Sequence, residues 1–292
     1  MTLNSVVVLI AAPGSRAIGP QVVELLRDSG AEAPRWLCPE HALEVAHFPA
    51  VGDVVAALAQ APIDINIIPA ENRRKRLLVA DMDSTMIEQE CIDELGAAAG
   101  LKDQISAITA KAMRGELDFA AALKERVGLL AGLDAGLIGT LLATRITLMP
   151  GGPALIATMK AHGAYTALVS GGFQQFTSAI AAKLGFHCNE ANDLCIENGK
   201  LTGAVREPIL GADAKRAALR RLALARGLTA ADAIAVGDGA NDIPMLLEAG
   251  LGVALHAKPH VKAAARISID HGDLTALLYL QAYQWQEIVL TD

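Results

Sequence analysis

The sequence predicts an α/β protein: a doubly wound parallel sheet with an inserted helical cap, preceded by a smaller α+β unit. Three observations support this fold class. Four apolar segments of strand length lead towards helical patterns, and three of them end in Asp or Ser. Such repeated β-then-α order is typical of a parallel sheet that is covered on both faces. The N-terminal part instead follows the order β-α-β-β-α-β.

The N-terminal unit is predicted over residues 1–72. Strands are expected at 5–12 and 63–69 and helices at 19–30 and 51–61, with two short strands around a Pro-Glu-His turn between the helices. A polar stretch then separates this unit from the rest of the chain. It contains the basic run 73–76, which we interpret as a solvated linker rather than a nucleic-acid patch.

The second unit is predicted over residues 73–292. Its candidate strands lie at 77–81, 164–170, 233–238 and 250–255. Between Asp81 and Ser170 lie 88 residues, whereas one β-α-β unit needs only ~30. The extra residues have helical patterns, so we predict a helical cap at about 88–146, placed to act as a lid. The Asn-Gly of "ENGK" predicts a β-hairpin further along.

Composition limits the function classes. The chain has 292 residues, of which 52% are hydrophobic, and this excludes a disordered protein. The formal net charge of −7 argues against nucleic acid as a partner. No apolar run approaches the ~18 residues of a membrane span. Four cysteines without C-x-x-C spacing, and no secretory signal before them, indicate free thiols and a cytoplasmic protein.

Acidic side chains follow two of the predicted strands. Asp81 and Asp83 are two residues apart, and in an extended chain such side chains can lie on the same face. Two carboxylates placed in this way repel each other. Either a divalent cation neutralises the pair, or one carboxyl stays protonated and serves as an acid. Asp238 and Asp242 form a second acidic cluster, and oxygen ligands of this kind favour Mg²⁺. The alternative is that such residues only cap turns and helices.

Two further features favour a phosphorylated ligand. Ser170 and Gly171 end a predicted strand and open into a helix, an arrangement that presents backbone N–H groups to an anion. Lys215 lies near the start of an amphipathic helix, where an exposed helix face is the simpler explanation. Together with a cation and a carboxylate nucleophile, these groups are the usual requirements of phosphoryl transfer. The chain has no G-x-x-x-x-G-K-[ST] loop, so an ATP-binding P-loop is not expected.

The segments "DMDST", "SGG", the downstream lysine and "GDGAND", in this order, resemble the four motifs of the haloacid dehalogenase superfamily. The longer segments "DMDSTMIEQECIDELG", "GELDFAAALKERVGLL" and "VGDGANDIPML" are similar to those of the phosphoserine phosphatases within it. The resemblance covers residues 77 to about 280. The N-terminal unit is similar to the ferredoxin-like ACT-like domains of longer bacterial members, in pattern only.

This resemblance implies an Mg²⁺-dependent hydrolysis of O-phospho-L-serine to L-serine and phosphate, the last step of serine biosynthesis. Asp81 would attack the phosphate, and Asp83 would protonate the leaving oxygen and then deprotonate water. Asp81, the Asp83 backbone carbonyl and Asp238 would hold the metal, supported by Asp242. The phosphate would be held by Ser170, Gly171 and Lys215, with Asn241 positioning it or Lys215.

The resemblance also implies that residues of the cap bind the amino-acid part of the substrate. Glu90 would bind the substrate ammonium and Arg126 its carboxylate, while Met113 and Phe119 would close over the site. Without the resemblance, an ordinary helix surface is the better explanation for Glu90 and Arg126. A homodimer is expected on the same analogy. Three alternatives stay open: a phosphatase for another small metabolite, a phosphotransferase that uses an alcohol as acceptor, and a non-catalytic amino-acid sensor.

Overall fold

A computed structural model of the protein describes residues 5–113 and 116–290. Its N-terminal part is a four-stranded antiparallel sheet with two helices, in the predicted order β-α-β-β-α-β. Along the sheet the strands are ordered β2-β3-β1-β4. The elements are β1 (Ser5–Ala11), α1 (Pro20–Asp28), β2 (Arg35–Cys38), β3 (Ala42–Ala46), α2 (Val51–Ala57) and β4 (Ile63–Pro69).

The rest of the chain forms a six-stranded parallel sheet, a group of cap helices and a two-stranded hairpin. Its elements in chain order are β5 (Leu77–Ala80), α3 (Cys91–Ala98), α4 (Lys102–Met113), α5 (Phe119–Gly128), α6 (Gly136–Thr144), α7 (Gly152–Ala161), β6 (Tyr165–Phe173), α8 (Gln174–Leu184), β7 (Cys188–Asn192), β8 (Leu194–Glu197), β9 (Lys200–Val205), α9 (Ala212–Leu224), β10 (Ala233–Gly237), α10 (Ile243–Glu248), β11 (Leu251–Leu255), α11 (Pro259–Ala264), β12 (Ile267–Ile269) and α12 (Ala276–Leu280).

The parallel sheet has the strand order β12-β11-β10-β5-β6-β7 and is covered on both faces. Alternate residues of β5 point to opposite sides. Leu78 belongs to the hydrophobic cluster that contains residues of α7, α8 and α12, and Val79 to the one that contains residues of α9, α10 and α11. The predicted doubly wound sheet is confirmed, and β5 lies near its middle, where all four of its apolar residues are buried.

The cap consists of α3 to α6, within the predicted segment 88–146. The two chain segments that join it to the sheet pair with each other, through an antiparallel bridge between Ile87 and Leu148. The hairpin β8–β9 supports the cap from another side, because Gly132 donates a backbone hydrogen bond of 2.8 Å to Leu201. The cap is therefore tied to the rest of the molecule at its linkers and at the hairpin.

The N-terminal sheet packs directly against the C-terminal part of the chain. Val8 and Ile68 belong to the same hydrophobic cluster as Tyr279 and Leu280 of α12. On its other face this sheet carries α1 and α2. The two sheets thus share a continuous apolar core.

The basic run at 73–76 contributes to this contact, and our interpretation of it as a solvated linker is wrong for Arg73 and Lys75, whereas Arg74 and Arg76 are exposed. The Arg73 guanidinium is buried, pairs with Glu44, and donates to the Leu280 and Tyr279 carbonyl oxygens at 3.0 and 3.2 Å. Lys75 is also buried, and its Nζ donates to the Ala231 carbonyl oxygen at 2.7 Å. These cations donate to carbonyl groups at the end of α12 and in the turn before β10, and so tie the run to the C-terminal part of the chain.

Over the part of the chain that the structure describes, no helix is both long and apolar enough to cross a membrane. The four cysteines Cys38, Cys91, Cys188 and Cys195 are free thiols, as expected from the sequence.

Candidate active site

A cavity of about 500 Å³ lies between the carboxyl edge of the parallel sheet and the cap. Most of the residues singled out in the sequence line it: Asp81, Asp83, Glu90, Phe119, Arg126, Ser170, Gly171, Asp238 and Asn241. Lys215 and Asp242 are fully buried beside Asp81. The side chain of Met113 lies outside the described part of the chain. As predicted, residues that follow different strands come together at one edge of the sheet.

Asp81 follows β5, and its carboxylate is held from two sides. Its Oδ1 accepts hydrogen bonds from the Met82 N–H at 2.7 Å and pairs with the Lys215 Nζ at 2.8 Å. Burial and the Asp242 charge raise the pKa of Asp81 well above its usual range, while Lys215 acts against them. Both contacts are made by Oδ1, so Oδ2 is the oxygen that can react in the cavity.

Lys215 in α9 is fully buried, contrary to the simple expectation of an exposed helix face. Its Nζ also donates to Asp242 Oδ1 at 2.6 Å. Burial alone would lower the pKa of Lys215, but Asp242 and Asp81 outweigh that effect and raise it. The lysine is therefore a permanent positive charge in contact with the Asp81 carboxylate.

Asp81, Asp238 and Asp242 form a cluster whose carboxylate oxygens lie within 4.8 Å of one another. Burial, followed by the Asp242 charge, raises the pKa of Asp238 to about 6. Asp242 is itself fixed, because its Oδ2 accepts the Gly239 N–H at 3.0 Å. Three clustered carboxylates beside a single lysine carry excess negative charge, and hard oxygen donors of this kind fit a divalent cation such as Mg²⁺.

The Asp83 side chain lies apart from this cluster and faces the cap and the serine turn. Its Oδ1 accepts the N–H of Cys91, the first residue of α3, at 3.0 Å. Its Oδ2 is 3.5 Å from the Ser170 hydroxyl, which is placed to donate to it. Burial raises the pKa of Asp83, while its bonds from Cys91 lower it. Asp81 and Asp83 thus have different partners and can take different chemical roles.

The turn after Val169 is shaped by its small residues. The Ser170 hydroxyl accepts the Gly172 N–H at 2.9 Å, and the Gly171 carbonyl oxygen accepts the Asn192 amide at 2.8 Å. A Cβ added to Gly172 would lie 2.4 Å from Asp83 Oδ2. Only glycine lets the backbone approach the carboxylate this closely.

The opposite wall of the cavity is built from the cap and carries both signs of charge. The Ser84 hydroxyl donates to the Glu90 Oε1 at 2.8 Å. Arg126 is half-buried; its Nε donates to the Ala122 carbonyl oxygen at 3.2 Å and its Nη1 to the Thr109 hydroxyl at 3.4 Å. Burial raises the pKa of Glu90 and lowers that of Arg126. A zwitterionic ligand suits such a wall.

Several residues of the site were not predicted from the sequence, among them Thr85, Cys91 and Lys258. The Thr85 hydroxyl donates to Asp238 Oδ1 at 3.0 Å, and Cys91 supplies the N–H that holds Asp83. Lys258 lines the cavity from the loop after β11. The rule that pointed to Asp81, Ser170 and Asp238 could have found Lys258, because it also follows a strand of the same parallel sheet.

Comparisons with known proteins agree with this geometry. A model of the haloacid dehalogenase-like hydrolases matches residues 78–247. The chain is 44% identical to a phosphoserine phosphatase of Streptomyces coelicolor over 232 residues, which are 79% of this chain and 56% of that protein. It is 47% identical to a phosphoserine phosphatase of Lactococcus lactis over 204 residues, 70% of this chain and 94% of that protein.

A solved structure is similar over nearly the whole chain. It is described as a probable phosphoserine phosphatase from Vibrio cholerae in unliganded form. It matches with a TM-score of 0.81 at 30% identity and covers 97% of this chain and 88% of that one. Several curated relatives are longer, however: the chain spans between about half and two thirds of their length.

Proposed function

Since the chain belongs to the haloacid dehalogenase-like hydrolase family, we propose that it hydrolyses O-phospho-L-serine to L-serine and phosphate. One observation carries the proposal. A single cavity joins the Asp81 carboxylate, paired with buried Lys215, to the facing charges of Glu90 and Arg126. The first pair suits a phosphate and the second suits an amino acid. The named activity of the relatives in Streptomyces and Lactococcus supports the same substrate.

In the proposed first step, the Asp81 carboxylate oxygen attacks the phosphorus atom. The bond from phosphorus to the serine oxygen breaks, and that oxygen takes a proton from Asp83. The raised pKa of Asp83 suits a carboxyl that must hold a proton before the reaction. Lys215 stabilises the aspartyl phosphate through its contact with Asp81.

In the second step, Asp83 removes a proton from water. The water oxygen attacks phosphorus, and the bond to Asp81 breaks to release inorganic phosphate. Asp83 thereby returns to its protonated form and Asp81 to its carboxylate. The Ser170 hydroxyl, which lies 3.5 Å from Asp83 Oδ2, and the Gly171 N–H would bind phosphate oxygens in both steps.

The carboxylate cluster supports Mg²⁺ as the cofactor of this reaction. Asp81 and Asp238 would hold the ion, together with the Asp83 backbone carbonyl, and Asp242 would orient Lys215 and the cluster. When bound, Mg²⁺ supplies positive charge that neutralises the carboxylates and the phosphate oxygens. Thr85 keeps Asp238 in place through its hydroxyl.

The cap residues would recognise the amino-acid part of the substrate. Glu90 is held by Ser84 and can accept the ammonium, and the Arg126 fork can bind the carboxylate. Phe119, the first residue of α5, lies against the phosphate turn: a Cβ on Gly171 would be 3.1 Å from its ring. Phe119 and Met113 are proposed to close the cavity, with Asn241 beside Gly171 positioning the phosphate.

The same proposal covers the whole chain. Residues 1–72 would form an ACT-like domain, in keeping with the antiparallel strand order β2-β3-β1-β4, and residues 73–292 would form the phosphatase domain. The four free cysteines support a cytoplasmic location. A homodimer is expected by analogy with the family, and light scattering would test it.

The deciding experiment measures phosphate and serine released from O-phospho-L-serine, with and without Mg²⁺. We expect equal amounts of both products and no activity after chelation. Added alcohol tests the alternative acceptor: a transferase would form a new phosphate ester and release serine without matching phosphate. A folded, Mg²⁺-loaded protein that cleaves other phosphate esters but not phosphoserine would refute the proposed substrate.

A further inference from the structure

Lys258 gives the amino-acid wall of the cavity a second positive charge. It lines the cavity with Glu90 and Arg126, although it belongs to the loop after β11 and not to the cap. Burial raises the pKa of Glu90, and the Lys258 charge acts against this effect. Lys258 and Glu90 thus face the same cavity with opposite charges. The Lys258 side chain is exposed, so its position depends on the loop that carries it.

That loop is fixed by His256 in an unusual backbone conformation. His256 has a φ of +45°, a left-handed value that is costly for residues other than glycine. Its N–H donates to the Ile269 carbonyl oxygen at 2.8 Å, and its ring Nε2 lies 2.8 Å from the Gly272 carbonyl oxygen. Since a carbonyl only accepts, Nε2 carries the proton. The next residue, Ala257, is buried.

The turn that holds His256 is itself organised by a carboxylate of the N-terminal sheet. Asp64 in β4 is buried and accepts backbone N–H groups from three successive residues. Its Oδ1 accepts from Asp270 at 2.8 Å, its Oδ2 from Gly272 at 2.7 Å, and both oxygens from His271 at 3.1 and 3.2 Å. One carboxylate thus sets the shape of the whole turn.

We propose that Lys258 binds the carboxylate of the amino-acid substrate, and that Asp64 is a positioning residue that fixes Lys258 through Gly272 and His256. The inference rests on the proposed function, because it needs a substrate with a carboxylate. A zwitterion held by Glu90 through its ammonium presents its carboxylate beside that ammonium, where Arg126 and Lys258 flank it. The N-terminal sheet then contributes to substrate selection without touching the substrate.

The first test replaces Lys258 with Met, which keeps the length of the side chain and removes its charge. We expect kcat/KM for phosphoserine to fall roughly tenfold, as for the loss of one charge-assisted hydrogen bond. Phosphoethanolamine has the phosphate and the ammonium but no carboxylate, and its kcat/KM should stay within about twofold, because no contact is lost. Equal losses on both substrates would assign Lys258 to the phosphate and overturn the inference.

The second test addresses the positioning role. Asp64→Asn replaces an acceptor oxygen with an NH₂ group that faces the turn, so kcat/KM for phosphoserine should fall several-fold, again without loss on phosphoethanolamine. Asn66→Ala is the matched control. Asn66 lies on the same face of β4 and makes two hydrogen bonds to Ser268 of β12, but none to the turn. It should lower the melting temperature and leave substrate selectivity unchanged.

A double-mutant cycle separates positioning from general destabilisation. In the Lys258→Met background, Asp64→Asn should cause no further loss in kcat/KM, because the residue that it positions is gone. If Asp64→Asn fails to fold, His256→Asn replaces it in the cycle: asparagine tolerates a positive φ but is too short to reach Gly272.

Additive losses in the double variant would overturn the relay from Asp64 to Lys258. Unchanged selectivity in Lys258→Met, alongside the expected losses in Arg126 and Glu90 variants, would overturn this inference and leave the proposed function standing. No hydrolysis of phosphoserine by the wild-type protein would overturn both.

Discussion

Replacing Arg126 with Ala is the most direct test of the substrate. The guanidinium is held before any ligand arrives, because Nε bonds to Ala122 in α5 and Nη1 to Thr109 in α4. An arginine that is already ordered loses little entropy on binding a carboxylate, so its full interaction contributes to recognition. The alanine variant removes this interaction and leaves Asp81, Lys215 and the carboxylate cluster unchanged.

The expected magnitude follows from the chemistry of the contact. A planar fork binds a carboxylate through two parallel hydrogen bonds, each worth roughly 1.5–3 kcal/mol when a charged group takes part. Losing both should lower kcat/KM for phosphoserine by at least about a hundredfold, since each 1.4 kcal/mol corresponds to about tenfold. Arg126→Lys should recover only part of the loss, because an ammonium cannot reproduce the fork.

Three substrates separate the roles of the cap residues. Phosphoserine carries both a carboxylate and an ammonium, phosphoethanolamine lacks the carboxylate, and 3-phosphoglycerate carries a hydroxyl in place of the ammonium. Arg126→Ala should affect phosphoserine strongly and phosphoethanolamine little. Glu90→Gln should affect phosphoserine and leave 3-phosphoglycerate nearly unchanged. The measured quantity is the ratio of losses in kcat/KM between substrates, with circular dichroism as the check on folding.

A ratio near one in a folded Arg126→Ala variant would refute the reasoning. It would mean that the arginine supports the cap and does not contact the substrate. The amino-acid specificity would then need another explanation, although the phosphate chemistry at Asp81 would be unaffected.

The remaining predictions concern the phosphate side of the cavity. Asp81→Asn should lower kcat by several orders of magnitude while the fold is kept, and a variant with a tenth of wild-type turnover would exclude Asp81 as nucleophile. Gly172→Ala should lower kcat, because the new Cβ would lie 2.4 Å from Asp83 Oδ2, whereas wild-type turnover would show that the turn can move aside. In the metal-free protein, burial raises the pKa of Asp238 from its ordinary value of 3.8 to about 6. Between these two pH values the folded protein keeps a proton that the unfolded chain loses, so the free energy of unfolding should fall as the pH rises through this range. Added Mg²⁺ should raise the melting temperature above pH 6, and a melting temperature independent of Mg²⁺ would count against the metal site.

The predicted fold and the observed one agree where the sequence pattern was strong. The four apolar strands of the central sheet and the Asn-Gly hairpin were all located within a few residues. The strands β7 and β12 were missed, and physical reasons are apparent. β7 has the polar sequence "CNEAN" and β12 has only three residues, so neither shows a buried apolar run. Both lie at the edges of the sheet, where tertiary pairing matters more than local preference.

The candidate site shows the same division. Asp81, Ser170 and Asp238 could be found because strand ends meet at one edge of a parallel sheet. The burial of Lys215 could not be predicted. Its helix also carries exposed arginines, and helical periodicity alone does not distinguish the buried lysine from them. Arg73 shows the opposite error: a basic run looks solvated in sequence, but its carbonyl partners lie 206 and 207 residues away.

That long separation has a consequence for synthesis of the protein. The apolar face of the N-terminal sheet, which includes Val8 and Ile68, leaves the ribosome long before its partner α12 at Ala276–Leu280. At roughly 5–20 residues per second, translation of the 200 or so intervening residues takes on the order of 10–40 s. During that interval the nascent sheet has helices on one side only and an uncovered hydrophobic surface on the other. We therefore expect this surface to be prone to aggregation until α12 is synthesised and packs against it.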